Sequence, residues 1–167
     1  MIKKALFIFI LTLSIVLCSC GESKKDRANE LLQDLLAVSG EPFADNGIFY
    51  FSDAKEGEIG YFSKEAKRFA YGESADTDVF DKLRGYAGFV SARAPAEIWI
   101  FECYSSSDTD KVIRMCLERA DALKIAHRNS EWREKSANIK VTSHRKYVLL
   151  AFVDNPYGVE KRLKELK

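Results

Sequence analysis

Two stretches, 97–104 and 147–153, constrain the fold more than any other part of this chain. In the first, Ile98 and Ile100 fall on one face of an extended strand and Trp99, Phe101 and Cys103 on the other. The second is likewise apolar on both faces. A strand with two apolar faces must be covered above and below, so both stretches belong in the centre of a sheet. Between them, 108–128 has helical spacing, with Val112, Ile113, Cys116, Leu117, Ala120 and Leu123 as its inward stripe. Ser107 and Asp110 have the separation of a capping box at its start. Segments 139–142 and 146–153 form a hairpin about Ser143, His144 and Arg145. Asn155 followed by Pro156 opens a last helix whose inner face is Val159, Leu163 and Leu166.

The earlier part of the chain is less sharply written. An amphipathic helix is expected over 26–39, with Ala28, Leu31, Leu32, Leu35 and Leu36 on one stripe and Gly40 and Pro42 ending it. A strand is expected over 47–52, a turn over 53–57, a short partner strand over 59–62, a helix over 63–69 and a polar loop over 73–78. In 79–92 the spacing of Val79, Leu83, Ala87 and Val90 is helical, but Gly85 and Gly88 each weaken a helix interior by about 1 kcal/mol. The reading is a short helix to Leu83, then a strand from Tyr86. Polar residues 129–138 fit either a continued helix or a loop. From Tyr86 onward the order is strand, strand, helix, strand, strand, helix. That order predicts an α+β fold, a mostly antiparallel sheet with helices packed on it, in one domain over 28–167.

The chain has 167 residues, 26 basic and 25 acidic. So even a balance argues against a nucleic-acid partner, which favours a basic excess. At the N-terminus, Lys3 and Lys4 precede 14 uncharged residues, 5–18. That run is short of the roughly 20 apolar residues a membrane-spanning helix needs, and fits the core of a secretory signal peptide. It ends in Leu17, Cys18, Ser19, Cys20 and Gly21. The pattern resembles a bacterial lipobox, with an aliphatic residue at −3, a small residue at −1 and then the acceptor cysteine. The resemblance implies a signal peptide over 1–19, cut before Cys20, whose sulfur takes a diacylglyceryl group. Cys18 is the poorer acceptor because Leu17 would precede the cut. Each buried methylene of the lipid contributes roughly 0.8 kcal/mol, so two or more chains anchor stably. Residues 20–27 are then the lipidated cysteine and a short tether, whose seven residues after Cys20 span at most about 25 Å. The expected location is the cell membrane, lipid-anchored on its extracytoplasmic face. A remaining domain of about 150 residues buries about 68–70% of its unfolded surface and folds without a disulfide.

The lipobox ending in Cys20, Tyr71 with Gly72, 96–101 (AEIWIF), the acid-led helix from Asp108 and 146–152 (KYVLLAF) together resemble a family of uncharacterised bacterial lipoproteins carrying a domain of unknown function. The likeness covers roughly residues 66–167. It implies a small surface-anchored domain and carries over no catalytic residue.

The residues that could do chemistry are few. With Cys20 lipidated, Cys103 and Cys116 remain, one on a central strand and the other on the following helix. They are either a disulfide, worth roughly 3 kcal/mol in the chain-entropy description, or two buried apolar thiols, or a reactive thiol. Cys116 and His127 share a helix but lie about 16 Å apart along it, too far for a nucleophile–base pair. Cys103 with His127 or His144 stays open, although His127 suits an exposed helix C-terminus and His144 a solvated turn. Asp76 with Asp78 and Asp108 with Asp110 begin like calcium loops, yet position 6 is Asp81 or Ile113 instead of glycine. Asp110, Arg114 and Glu118 form a solvated charge ladder. No phosphate-binding glycine loop and no nucleophile elbow occurs. No catalytic residue, metal site or cofactor is therefore expected.

The expected role is a non-catalytic binding or interaction module at the membrane surface. Its partner is an envelope protein or a cell-wall component, met through an aromatic patch drawn from Tyr50, Tyr61, Tyr86 or Trp132. The alternatives are a small-ligand-binding lipoprotein and, behind it, an enzyme of unrecognised type.

Overall fold

The computed structural model describes residues 27–41, 47–72 and 78–166. The expected signal peptide, Cys20 and most of the expected tether lie outside these residues, as do 73–77 with Asp76. The elements are α1 (Arg27–Val38), β1 (Gly47–Phe51), α2 (Lys64–Tyr71), the single turn α3 (Asp78–Asp81), β2 (Gly85–Ser91), β3 (Glu97–Glu102), α4 (Thr109–His127), α5 (Arg133–Ala137), β4 (Lys140–His144), β5 (Tyr147–Phe152) and α6 (Pro156–Lys164). The fold is α+β. All five strands pair antiparallel in the order β1-β2-β3-β5-β4.

The alternation along the strands builds two cores, one on each side of the sheet. Ile98, Ile100, Leu149, Ala151, Ala87 and Phe89 face one side, where α1 and α6 cover them with Leu32, Leu35, Val159 and Leu163. Trp99, Phe101, Val148, Leu150 and Tyr86 face the other, under Val112, Met115 and Cys116 of α4 and Tyr71 of α2. Every residue of β3 and of β5 is buried. That is the physical consequence of two apolar faces, and it places these two strands side by side in the middle. Asn155 binds the two helices of the first side together. It caps α6 by accepting from the Gly158 N–H (3.0 Å) and donates to the Val38 carbonyl at the end of α1 (2.9 Å).

Several local expectations are corrected. Residues 59–62 are a turn, not a strand: Gly57 and Gly60 have φ of +88° and +91°, and the Phe51 N–H donates to the Gly60 carbonyl (2.9 Å). This curl turns Phe62 into the core and leaves Ile59 98% exposed. The capping box is two residues earlier than the spacing suggested. The Ser105 N–H and Oγ both donate to Asp108 (3.2 and 2.7 Å), closing a 3₁₀ turn at Ser106–Asp108 before α4 begins. On α4, Met115 is buried and Leu117 is exposed, so the inward stripe is rotated from the predicted one. Residues 129–138 contain a separate short helix, α5. The β4–β5 turn is tighter than expected, because His144 pairs with Tyr147 in the ladder and only Arg145 and Lys146 make the turn. Arg145 adopts φ 56°, a conformation uncommon for a residue with a side chain.

Candidate functional site

Antiparallel pairing brings many connections to one end of the sheet. There β1 passes into the 52–63 loop, 82–84 lead into β2, β3 runs out at 103, and Arg145 and Lys146 turn the chain into β5. Helix α1 starts at the same end, with Arg27 lining two grooves. Tyr104, 70% exposed, stands where three grooves meet.

The first groove, of about 770 Å³, runs between the start of α1 and the β4–β5 turn, with Arg27, Leu31, Tyr104, Arg145 and Leu166 on its walls. The second, of about 900 Å³, has Lys67, Arg84, Tyr61 and Tyr86 on its walls. The third, of about 480 Å³, reaches Cys103 and Lys111 at the foot of α4. The second is amphipathic in a specific way. Lys67 lies over the rings of Phe80 (5.0 Å) and Tyr86 (5.6 Å), held by the negative faces of those rings. Partial burial there pushes the Lys67 ammonium below its usual pKa, against the pull of Asp81.

Glu102 organises this end. It closes β3 with a side chain only 3% exposed, and its Oε1 lies 2.6 Å from Lys146 Nζ and 3.3 Å from Arg84 Nε. The sheet register dictates these partners. Glu102 pairs with Gly85 on one side and Tyr147 on the other, and each cation immediately precedes its strand. The backbone follows the same logic: Arg84 N–H donates to the Glu102 carbonyl and Cys103 N–H to the Lys146 carbonyl, both at 2.8 Å. A buried carboxylate held between two cations is a positioning device, since removing either cation leaves it undercompensated.

The two cysteines are buried free thiols packed in the α4-side core. Burial, with the nearby charges of Asp108 and Glu102, pushes Cys103 up to about 11. Burial pushes Cys116 well above its ordinary range, with Glu97 adding to the effect. Such thiols are poor nucleophiles, because the thiolate is the reactive form. Alkylation of both is expected to be slow in the native protein at neutral pH and fast in denaturant, which mass spectrometry of iodoacetamide-treated samples reads directly. The same shift has a consequence in alkali. From the ordinary value of 9.0 up to about 11, the unfolded chain loses the Cys103 proton that the folded chain keeps. Stability therefore falls as pH rises through that window, and a cysteine-to-alanine pair should flatten the alkaline limb of a urea-midpoint profile.

Other candidates are dispersed. His127 ends α4 with its ring 5.4 Å from that of Phe152 and its Nδ1 3.5 Å from Ser130 Oγ. His144 sits in the β4 ladder, not in a turn, with Nε2 3.3 Å from the Leu166 carbonyl on the α6 side of the sheet. Neither is brought to Cys103: His144 lies across the sheet from it, and His127 lies on its side of the sheet but against Phe152, which pairs with Glu97 at the far end of β3. Asp108 serves the Ser105 turn. Among the described residues no three His, Cys, Asp or Glu side chains converge as metal ligands. The expected aromatic patch is also redistributed. Tyr86 is buried, Tyr50 stacks on Trp99 (5.5 Å), and Trp132 is half-buried near Lys135; of the four, Tyr61 alone borders a groove from an exposed position. Tyr104, which the sequence marked only as the last residue of a central strand, is the exposed aromatic at the junction of the grooves. A tyrosine followed by the polar run 105–110, just beyond a strand with apolar residues on both faces, was the available signal. Comparison with protein-family models, curated proteins and solved structures finds no match to this chain.

Proposed function

We propose that the protein is a lipid-anchored extracytoplasmic binding module, held to the membrane through Cys20, that uses the Tyr104 end of its sheet to engage an envelope component. The observation that carries this reading is the coincidence of two features at one end: the grooves around Tyr104, and the start of α1 at Arg27, seven residues after Cys20. The ionisable groups there largely hold structure. Glu102 is taken by Arg84 and Lys146, Asp34 by Arg162 and Asp108 by Ser105, an arrangement that suits recognition better than proton transfer. A small-ligand lipoprotein is the second reading, favoured by the aromatic second groove with Lys67 in it.

The anchor is tested by intact-mass and N-terminal peptide analysis of protein extracted from its own membrane. The expected chain begins at Cys20 and carries a diacylglyceryl thioether, and Cys20→Ala abolishes both the cut and the modification. A mature chain beginning elsewhere, with Cys20 unmodified, overturns the reading. Native mass spectrometry of the same extract separates the two roles: a protein-sized added mass supports the interaction module, and a small one the ligand carrier.

A further inference from the structure

We infer that the groove between α1 and the β4–β5 turn takes the phosphate of a membrane phospholipid, seating the domain end-on against the bilayer. The inference rests on the lipid-anchor reading and adds to it an orientation and a ligand. The first argument is reach. Arg27, on the groove wall, is seven residues from Cys20, so it stays within about 25 Å of the lipid that Cys20 would carry. The groove is thus held among phospholipid headgroups at high effective concentration, where a weak site is enough.

The second argument is charge. Arg27 and Arg145 are exposed on this groove and neither has an ion-pair partner among the described residues. Of the two acids on the same walls, Asp34 is held by Arg162 at 2.9 Å, which leaves Glu30 against two guanidiniums. A guanidinium presents a planar fork of donors that matches two phosphate oxygens. Arg145 is also set in place by its turn, since His144 and Tyr147 pair on either side of it and its backbone is held at φ 56°.

The third argument is the rest of the wall. Leu31, Leu166, Tyr147 and Tyr104 line the same groove, so the cations border an apolar surface. A phospholipid has that layout, a phosphate followed by a glycerol and methylenes. An exposed tyrosine is also best placed at headgroup depth, where its ring meets apolar matter and its hydroxyl stays wet.

The test uses the full lipidated chain, first checked by mass for diacylglycerol on Cys20, in phosphatidylglycerol vesicles and in uncharged detergent micelles. Amide hydrogen exchange is read at 103–108 and 144–147, with 92–96 at the opposite end of the sheet as control. Exchange at the first two segments is expected to slow by about thirtyfold in vesicles, the scale two surface cations provide at an anionic bilayer, with 92–96 unchanged. The double variant Arg27→Glu, Arg145→Glu is expected to remove that slowing while the chain stays membrane-bound through its lipid. Equal exchange in vesicles and micelles overturns the inference and leaves the anchor standing. So does slowing that survives the double variant. Inorganic phosphate added to the micellar protein and slowing the same amides as strongly as vesicles do would assign the site to a soluble anion instead. An unmodified Cys20 overturns the anchor and the docking together.

Discussion

Replacing Arg119 with alanine is expected to destabilise the protein by about 3–5 kcal/mol, the range for breaking a buried ion pair from one side. Its partner, Glu97, opens β3 and is 2% exposed. The pair is bidentate across the helix–sheet interface, with Arg119 Nε 3.0 Å from Oε1 and a terminal nitrogen 2.7 Å from Oε2. Burial pushes the guanidinium down, but the hydrogen bonds and charge of Glu97 outweigh it and hold Arg119 above its usual value. The loss comes less from the missing attraction than from a carboxylate left in an apolar layer without water. A double substitution, Glu97→Met with Arg119→Met, should therefore recover much of it, because both charges go together. Urea midpoints of the three variants decide the matter. An Arg119→Ala cost below about 1 kcal/mol would mean that water reaches Glu97 and that the pair behaves as a surface bridge.

The second large effect is expected at Trp99, where alanine should cost about 3–5 kcal/mol. The indole is 1% exposed and lies among Phe62 (4.8 Å between ring centroids), Tyr50 (5.5 Å), Tyr71 (5.9 Å) and Phe101 (6.1 Å). The neighbouring strand makes room for it: Gly88 pairs with Trp99, and a Cβ there would stand 2.2 Å from the ring. Gly88→Ala alone is expected to cost about 1–3 kcal/mol by overpacking. With Trp99 already truncated, the added methyl enters the space the indole vacated, so the double variant should be more stable than the sum of the singles. Thermal or urea unfolding of the four-member cycle measures this. Strict additivity would show that Gly88 serves the strand backbone and not the indole.

Gly88 also shows where one sequence underdetermines its own structure. Taken alone, 79–92 carries a helical spacing interrupted by glycines. The glycines already turn the reading to a strand from Tyr86, as found, but why a glycine stands at 88 shows only across the ladder, where it answers the side chain of Trp99 eleven residues away. The two-residue turn at Arg145 is similar. Nothing local asks an arginine to adopt φ 56°, and it does so because the β4–β5 register puts His144 opposite Tyr147. The candidate site follows the same rule. Glu102, Arg84 and Lys146 are unremarkable charges in the chain, and become two cations around one buried carboxylate only when β3 is flanked by β2 and β5.

What the sequence determined by itself was the α+β class, the two central strands, the long helix between them and the Asn155–Pro156 helix start. Each rests on periodicity or capping within about twenty residues, where side chains select backbone geometry directly. The tertiary structure alone decided the strand order, the rotation of α4 that buries Met115 and exposes Leu117, the buried pairing of Glu97 with Arg119, and the gathering of Arg27, Tyr104 and Arg145 at one end. These depend on which apolar faces meet across the sheet. That choice is made by the packing of the whole domain and leaves no mark at any single position.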